Sequence, residues 1–177
     1  MASVAILVNG LPGSGKTTLA RTLAAVLGCP ALSVDVVQES LAGLTGPVVA
    51  TTGLRSVATD AVWSLAAEIE AGVVVEAAFH ADRDRDAVRA GLERAGRPRT
   101  VEVWCDGAPE VALGRTVERV ESGARSRLHG TAQEVREAWP ELVAGAAPLG
   151  AWPVVRVDAG GEVDLDALVT EIGAHFG

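Results

Sequence analysis

The nine residues "GLPGSGKTT", Gly10 to Thr18, decide how the rest of this chain is read. They follow "SVAILVN", a short apolar run with β-branched residues, and lead into "KTTLARTLAAVLG", where Leu19, Leu23 and Leu27 recur at every fourth position. That order predicts a buried strand, a Gly-rich turn and a helix. Gly10, Gly15, Lys16 and Thr17 complete the pattern G-x-x-x-x-G-K-[ST] in the strand-to-helix context the pattern requires. Glycines allow a tight nest whose N–H groups point at phosphate oxygens, and the helix N-terminus adds the positive end of its dipole. Lys16 brings a compact ammonium to β- and γ-phosphates, while Thr17 offers a hydroxyl to Mg²⁺. Lys16 is also the only lysine among the fifteen lysines and arginines of the chain. A guanidinium is a wide planar fork where such a loop leaves room for a point charge, so a chain that otherwise uses arginine keeps lysine here.

Composition bounds the remaining possibilities. A length of 177 residues with 49% hydrophobic and 21% charged residues fits one globular domain, 1–177, with its own core. A formal charge of −8 argues against nucleic acid as a partner, because phosphate-backbone binding needs a basic face that displaces counterions. No apolar run approaches the roughly 20 residues that cross a bilayer, and the N-terminus lacks the basic-then-apolar layout of a secretion signal. The expectation is a cytoplasmic protein, monomeric or homodimeric, with no membrane partner. Cys29 and Cys105 are far apart beside apolar neighbours, which suits reduced, partly buried thiols rather than a bridge or a metal site.

Beyond the first helix the pattern alternates. "ALSVD" reads as a second strand ending in Asp35, and "VVQESLAG" as a helical turn or two. "GLTGPVVATTG" has too many breakers for an element; then Val57, Ala61, Leu65 and Ile69 mark the apolar face of a helix ending at Gly72, with Trp63 one position off that stripe. "VVVEAAF", Val73 to Phe79, is a strand buried on both faces that carries one acid, Glu76. "ADRDRDAVRAGLERAG" is a charged helix, "RTVEVWCD" a fourth strand, and "APEVALGRTVERVESG" a helix with Pro109 near its start. "TAQEVREAW" opens on a capping box, Thr131 and Glu134, and Pro140 should break or kink the helix beyond it. "WPVVRVDAG" is a fifth strand, and a last helix begins near Asp164. The expected fold is therefore α/β: a three-layer sandwich with a five-stranded, mostly parallel sheet, helices on both faces, and ligands at the carboxyl ends of the strands. Asp35, Glu76 and Asp106 all lie at or near such ends.

"ILVNGLPGSGKTTLARTLA", with "LSVD" about a helix later, resembles the P-loop small-molecule kinases: gluconate and shikimate kinases, chloramphenicol phosphotransferase and zeta-toxin-type kinases. "CDG" followed by "GR" and later arginines echoes chloramphenicol phosphotransferase in particular. The resemblance implies the fold of the nucleoside-monophosphate kinases with a small lid, and ATP with Mg²⁺ held by Gly10, Pro12, Gly13, Ser14, Gly15, Lys16, Thr17 and Thr18. It also implies that Asp35 contacts the acceptor hydroxyl as a general base, in keeping with a reaction that needs mainly alignment and charge neutralisation. A helix N-cap is the other reading of Asp35. Glu76 is read as an acid that positions Mg²⁺-bound water or the acceptor, or else as half of a structural ion pair; Asp106 is the other candidate acid.

The same resemblance puts a lid at about 115–140. Arg115 and Arg119, four apart on one helical face, and Arg125 and Arg127 beyond them are its candidate clamps on ATP phosphates and base, since guanidinium groups neutralise phosphoryl oxygens and stack on rings. Alternatively Glu118 and Glu121 pair with these arginines at the surface. His129 is read as a loop histidine. The acceptor segment falls at about 36–72, where Arg55 is the candidate contact and Trp63 is read as core. The activity implied is transfer of the γ-phosphate of ATP to a hydroxyl of a small molecule, with Lys16, Asp35 and Arg119 as the catalytic group and Arg55, Glu76, Arg125 and Arg127 toward the acceptor. A nucleoside or nucleotide kinase, or an ATP-binding regulatory module, is the competing reading.

Overall fold

The computed structural model describes residues 3–124 and 130–177, so Arg125, Arg127 and His129 lie outside the described residues. Its elements run β1 (Val4–Gly10), α1 (Lys16–Leu27), β2 (Ala31–Ser33), α2 (Val34–Thr45), a 3₁₀ turn (Gly46–Val48) and α3 (Thr51–Ala67). They continue through β3 (Val73–Glu76), α4 (Ala81–Arg94), β4 (Arg99–Asp106), α5 (Pro109–Glu121), α6 (Ala132–Ala144), β5 (Val154–Asp158) and α7 (Leu165–Ala174). The five strands form one sheet in the order β2-β3-β1-β4-β5, with every pairing parallel. β1 is the central strand, and the chain crosses from its β3 side to its β4 side. This places the loop after β1 at a topological switch point, where open α/β sheets bind their ligands.

The period of two along β1 divides the core. Ala5 and Leu7 point into a layer with Val34, Ala58, Val62, Trp63, Val88 and Leu92 from α2, α3 and α4. Ile6 and Val8 point into the opposite layer with Leu19 and Leu23 of α1 and Leu168 and Ile172 of α7. A third cluster joins α5 to α6 through Ala112, Val117, Val135 and Trp139, and Leu11 of the phosphate loop packs against it. Three helix ends form as expected. Gly28 closes α1 in a left-handed conformation, Thr131 and Glu134 make the reciprocal capping box of α6, and Asp164 caps α7 through Ala167 N–H.

Four readings of the sequence are corrected. The stretch 43–53 is not irregular: α2 runs to Thr45, one 3₁₀ turn follows, and α3 begins at Thr51. In α3 the buried face is Leu54, Ala58, Val62, Trp63 and Ala66, whereas Val57 and Leu65 are about half exposed. Both stripes repeat every four residues and both are apolar, so periodicity alone does not choose between them. Burying Trp63 against α4 does, and the tight approach is visible at Gly91, where any Cβ would collide with the Trp63 ring. The third strand stops at Glu76 instead of running on to Phe79, so that acid stands at the carboxyl end itself. Finally, α6 passes through Pro140 without ending; Pro140 and Arg136 are both exposed, so the carbonyl that loses its helical partner is on the solvated side.

Candidate active site

The loop from Gly10 to Gly15 turns back on itself, with Ser14 N–H donating to the Leu11 carbonyl at 3.1 Å. Gly13 and Gly15 both adopt positive φ, 78° and 97°. At Gly13 a Cβ would run into the Ala112 carbonyl and Thr116 of α5, so this glycine is demanded both by backbone conformation and by close packing of α5. The loop then delivers Lys16 and Thr17 into the first turn of α1. Lys16 is 5% exposed, and its Nζ donates to the Leu11 carbonyl at 2.9 Å, across the loop it closes.

Thr17 Oγ1 donates to Glu76 Oε1 at 3.2 Å, joining the start of α1 to the end of β3. Glu76 is 2% exposed, and its second oxygen, Oε2, is buried with no hydrogen-bond partner among the described residues. A buried carboxylate oxygen left without a donor beside the P-loop hydroxyl fits the water shell of a divalent cation. Among the described residues no three His, Cys, Asp or Glu side chains gather to bind a metal by themselves. That donor set suits Mg²⁺, which keeps several waters and shares its coordination with substrate phosphates. Asp106, the other candidate acid, is engaged elsewhere: it pairs with Arg156 at 3.0 Å and accepts from the Trp104 indole at 2.8 Å.

A cavity of about 180 Å³ opens over this loop and is walled by Pro12, Gly13, Gly15, Lys16, Thr17 and Thr18, together with Ser33, Asp35, Glu39, Glu76 and Arg119. Gly10 and Ser14 do not line it; Gly10 is the last residue of β1, in register with Cys105, and Ser14 is buried. Asp35 is not where strand two ends. Val34 already belongs to α2, and Ser33 is the N-cap, accepting from Val36 N–H at 3.3 Å, so Asp35 occupies the first turn with its side chain left over for the cavity. The capping reading of Asp35 is thereby set aside. Arg55 Nη1 approaches Asp35 Oδ1 at 3.5 Å, and Arg55 Nη2 donates to the Ala78 carbonyl at 3.0 Å. Asp84 supports Arg55 from behind at 3.7 Å. Burial alone would raise the Asp84 carboxyl, but the Arg83 hydrogen bonds and the His80 N–H outweigh it and hold the group below its ordinary value. Arg55 itself lines a neighbouring cleft of about 370 Å³ between α3 and α4, with Trp63, Phe79 and Arg94.

Arg119 also borders a second cleft of about 440 Å³, shared with Thr18, Thr22, Arg115, Ala159 and Gly160. Arg115 Nη2 donates to the Gly160 carbonyl at 3.4 Å. Among the described residues Glu121 pairs with Arg136 of α6 at 3.2 Å, and not with Arg115 or Arg119. Two site residues escaped the sequence reading. Glu39 lines the cavity one helical turn after Asp35, and that i, i+4 spacing was its only signal. Glu102, fully buried in β4, had no signal beyond being an acid within an apolar strand.

The comparisons with known proteins fit this geometry. A family model described as an AAA domain matches residues 6–139, and the chain belongs to that family. Its fold is that of the P-loop kinases. A Chloroflexus aurantiacus protein described as a candidate kinase superposes with a TM-score of 0.83 at 24% identity, covering 99% of each chain. A Sinorhizobium meliloti gluconokinase gives 0.61 at 21%, covering 98% of this chain and 90% of its own. Aquifex aeolicus shikimate kinase gives 0.57 at 19%, covering 97% and 95%. No curated protein matches the sequence closely enough to count as a relative. Among the described residues no helix is long and apolar enough to cross a membrane.

Proposed function

We propose that this protein is an ATP-dependent phosphotransferase that moves the γ-phosphate to a hydroxyl of a small molecule. The single observation that carries the reading is that Asp35 and the P-loop pair Lys16 and Thr17 wall one small cavity. Phosphoryl transfer asks the protein for alignment and charge neutralisation, and these three side chains supply the parts. An acceptor hydroxyl in the cavity donates its proton to Asp35 as its oxygen attacks phosphorus. Lys16 faces the β- and γ-phosphate oxygens and stabilises the charge that gathers there. Arg119, which lines the same cavity, serves as a second cation from the lid. Arg55 steadies the Asp35 carboxylate and marks the side from which the acceptor approaches. Thr17 and Glu76 would hold Mg²⁺, which supplies neutralisation across the β- and γ-phosphates when bound. On this reading the acceptor segment is 36–72, carried by α2 and α3, and the lid is 115–140.

The structural likeness to gluconokinase and shikimate kinase supports a small alcohol as acceptor. A nucleotide acceptor is less well served, because Arg55 is already committed to Asp35, Ala78 and Asp84. The test is transfer of labelled γ-phosphate from MgATP to a broad panel of sugars, polyols, hydroxy acids and hydroxylated antibiotics, run beside Asp35→Asn. Transfer to one class by the wild type, lost in the variant with MgADP binding retained, is the expected result. ATP binding without transfer to any member of the panel would leave an ATP-binding module.

A further inference from the structure

Glu102 sits in the middle of β4 with no exposed surface, and among the described residues no basic side chain hydrogen-bonds to it. Its carboxylate instead receives N–H groups. Asn9 Nδ2 donates to Oε1 at 2.9 Å, Leu149 N–H donates to Oε1 and Oε2 at 3.0 and 2.9 Å, and Gly150 N–H contributes as well. Asn9, also fully buried, then uses its amide oxygen twice, accepting from Gly10 N–H at 2.7 Å and from Phe79 N–H at 2.9 Å. Every bond in this network runs one way: main-chain N–H into the Asn9 oxygen, Asn9 N–H and main-chain N–H into Glu102. Turning the Asn9 amide over would set its NH₂ against two donors. Replacing the carboxylate by an amide would set another NH₂ against Leu149 or Gly150.

A buried carboxylate is costly even when hydrogen-bonded, and an apolar side chain of similar volume would fill β4 more cheaply. What the network does is tie the start of the phosphate loop, which lines the nucleotide cavity, to two segments that adjoin its other walls without lining it. Gly10 begins the phosphate loop, Phe79 lies just beyond Glu76, and Leu149–Gly150 follows α6, the helix packed on α5 and its Arg119. We infer that Glu102 is a positioning residue, which through Asn9 sets the phosphate loop and the return of the lid in register with each other for nucleotide binding. The inference rests on the reading of the P-loop as a nucleotide site, and it concerns binding rather than transfer.

The test measures the dissociation constant of MgADP by calorimetry for the wild type, Glu102→Gln, Asn9→Ala and the double variant. All are held at a temperature where far-UV circular dichroism reports them folded. Each single variant is expected to weaken MgADP by about tenfold, the scale of a lost hydrogen bond to a charged group, and the double variant by no more than the larger single. Ile172→Ala, which hollows the α7 core in a cluster that holds none of Asn9, Phe79, Glu102 or Leu149, should lower thermal stability and leave the MgADP constant within twofold. Folded Glu102→Gln and Asn9→Ala that bind MgADP like the wild type overturn the inference, as does a double variant equal to the product of the singles. If Glu102→Gln does not fold, Asn9→Ala decides alone by the same criterion. A wild type that does not bind MgADP removes the nucleotide reading and the inference together.

Discussion

The two ends of the cavity are built on different principles. The phosphate end is main chain: a loop held by positive-φ glycines, closed by a buried lysine, and pressed against α5 at Gly13. The end proposed for the acceptor is side chain: Asp35 and Arg55, each about one quarter exposed, joined by a 3.5 Å ion pair and backed by Asp84. A nest of N–H groups recognises any phosphate and tolerates almost no substitution. Partly exposed carboxylate and guanidinium groups can be exchanged at modest cost to the fold, which is where a family sharing one fold is free to change its acceptor.

The contrast is sharpest in variants that separate transfer from binding. Asp35→Asn should lower turnover by roughly two to four orders of magnitude, the range of a lost general base, while MgADP binding stays within twofold. Equal losses in both would mean that Asp35 belongs to the phosphate end. Gly13→Ala should do the reverse, weakening MgADP by about a hundredfold, because a left-handed alanine costs about 1–2 kcal/mol before its Cβ meets the Ala112 carbonyl. Lys16→Arg should reduce turnover by about tenfold or more, since a planar fork does not reproduce a buried point charge spanning the loop to Leu11. Near wild-type turnover there would break the account of the lone lysine. Arg55→Ala should raise the acceptor KM by roughly fivefold, the scale of a partly exposed ion pair, and leave the KM for ATP unchanged.

The least effect appears at neutral pH, where it is nil. Burial pushes the Cys105 thiol up to about 12 from a usual 9.0. Between those values the folded chain keeps a proton that the unfolded chain releases, so stability falls as pH rises, by up to about 1.4 kcal/mol per unit. The chain has no tyrosine and one lysine, so few other groups titrate in that window. Urea unfolding of reduced protein at pH 8, 9 and 10 should show the decline, and Cys105→Ala should lessen it, leaving the share of Cys29, whose thiol burial also pushes up.

Much of the fold was legible because its signals are local. β1, the phosphate loop and α1 announce themselves within twenty-four residues, and the caps of α6 and α7 lie within four residues of their partners. The acceptor segment was read less well. Two equivalent apolar stripes in α3 are told apart only by the neighbour that Trp63 meets on α4, and Asp35 was assigned to a strand because Ser33, rather than the acid, caps α2.

By itself the sequence determined where phosphate binds, since that chemistry is made by consecutive backbone groups and one adjacent lysine. Only the tertiary structure decided which acids stand beside it. Thr17 meets Glu76 across 59 residues, Arg55 meets Asp35 across 20, and Asn9 meets Glu102 across 93. The strand order β2-β3-β1-β4-β5 brings Glu76 to one side of β1 and Glu102 to the other, and Asp106 is turned away toward Arg156 on β5. No spacing along the chain encodes that choice, because it depends on which strands lie side by side.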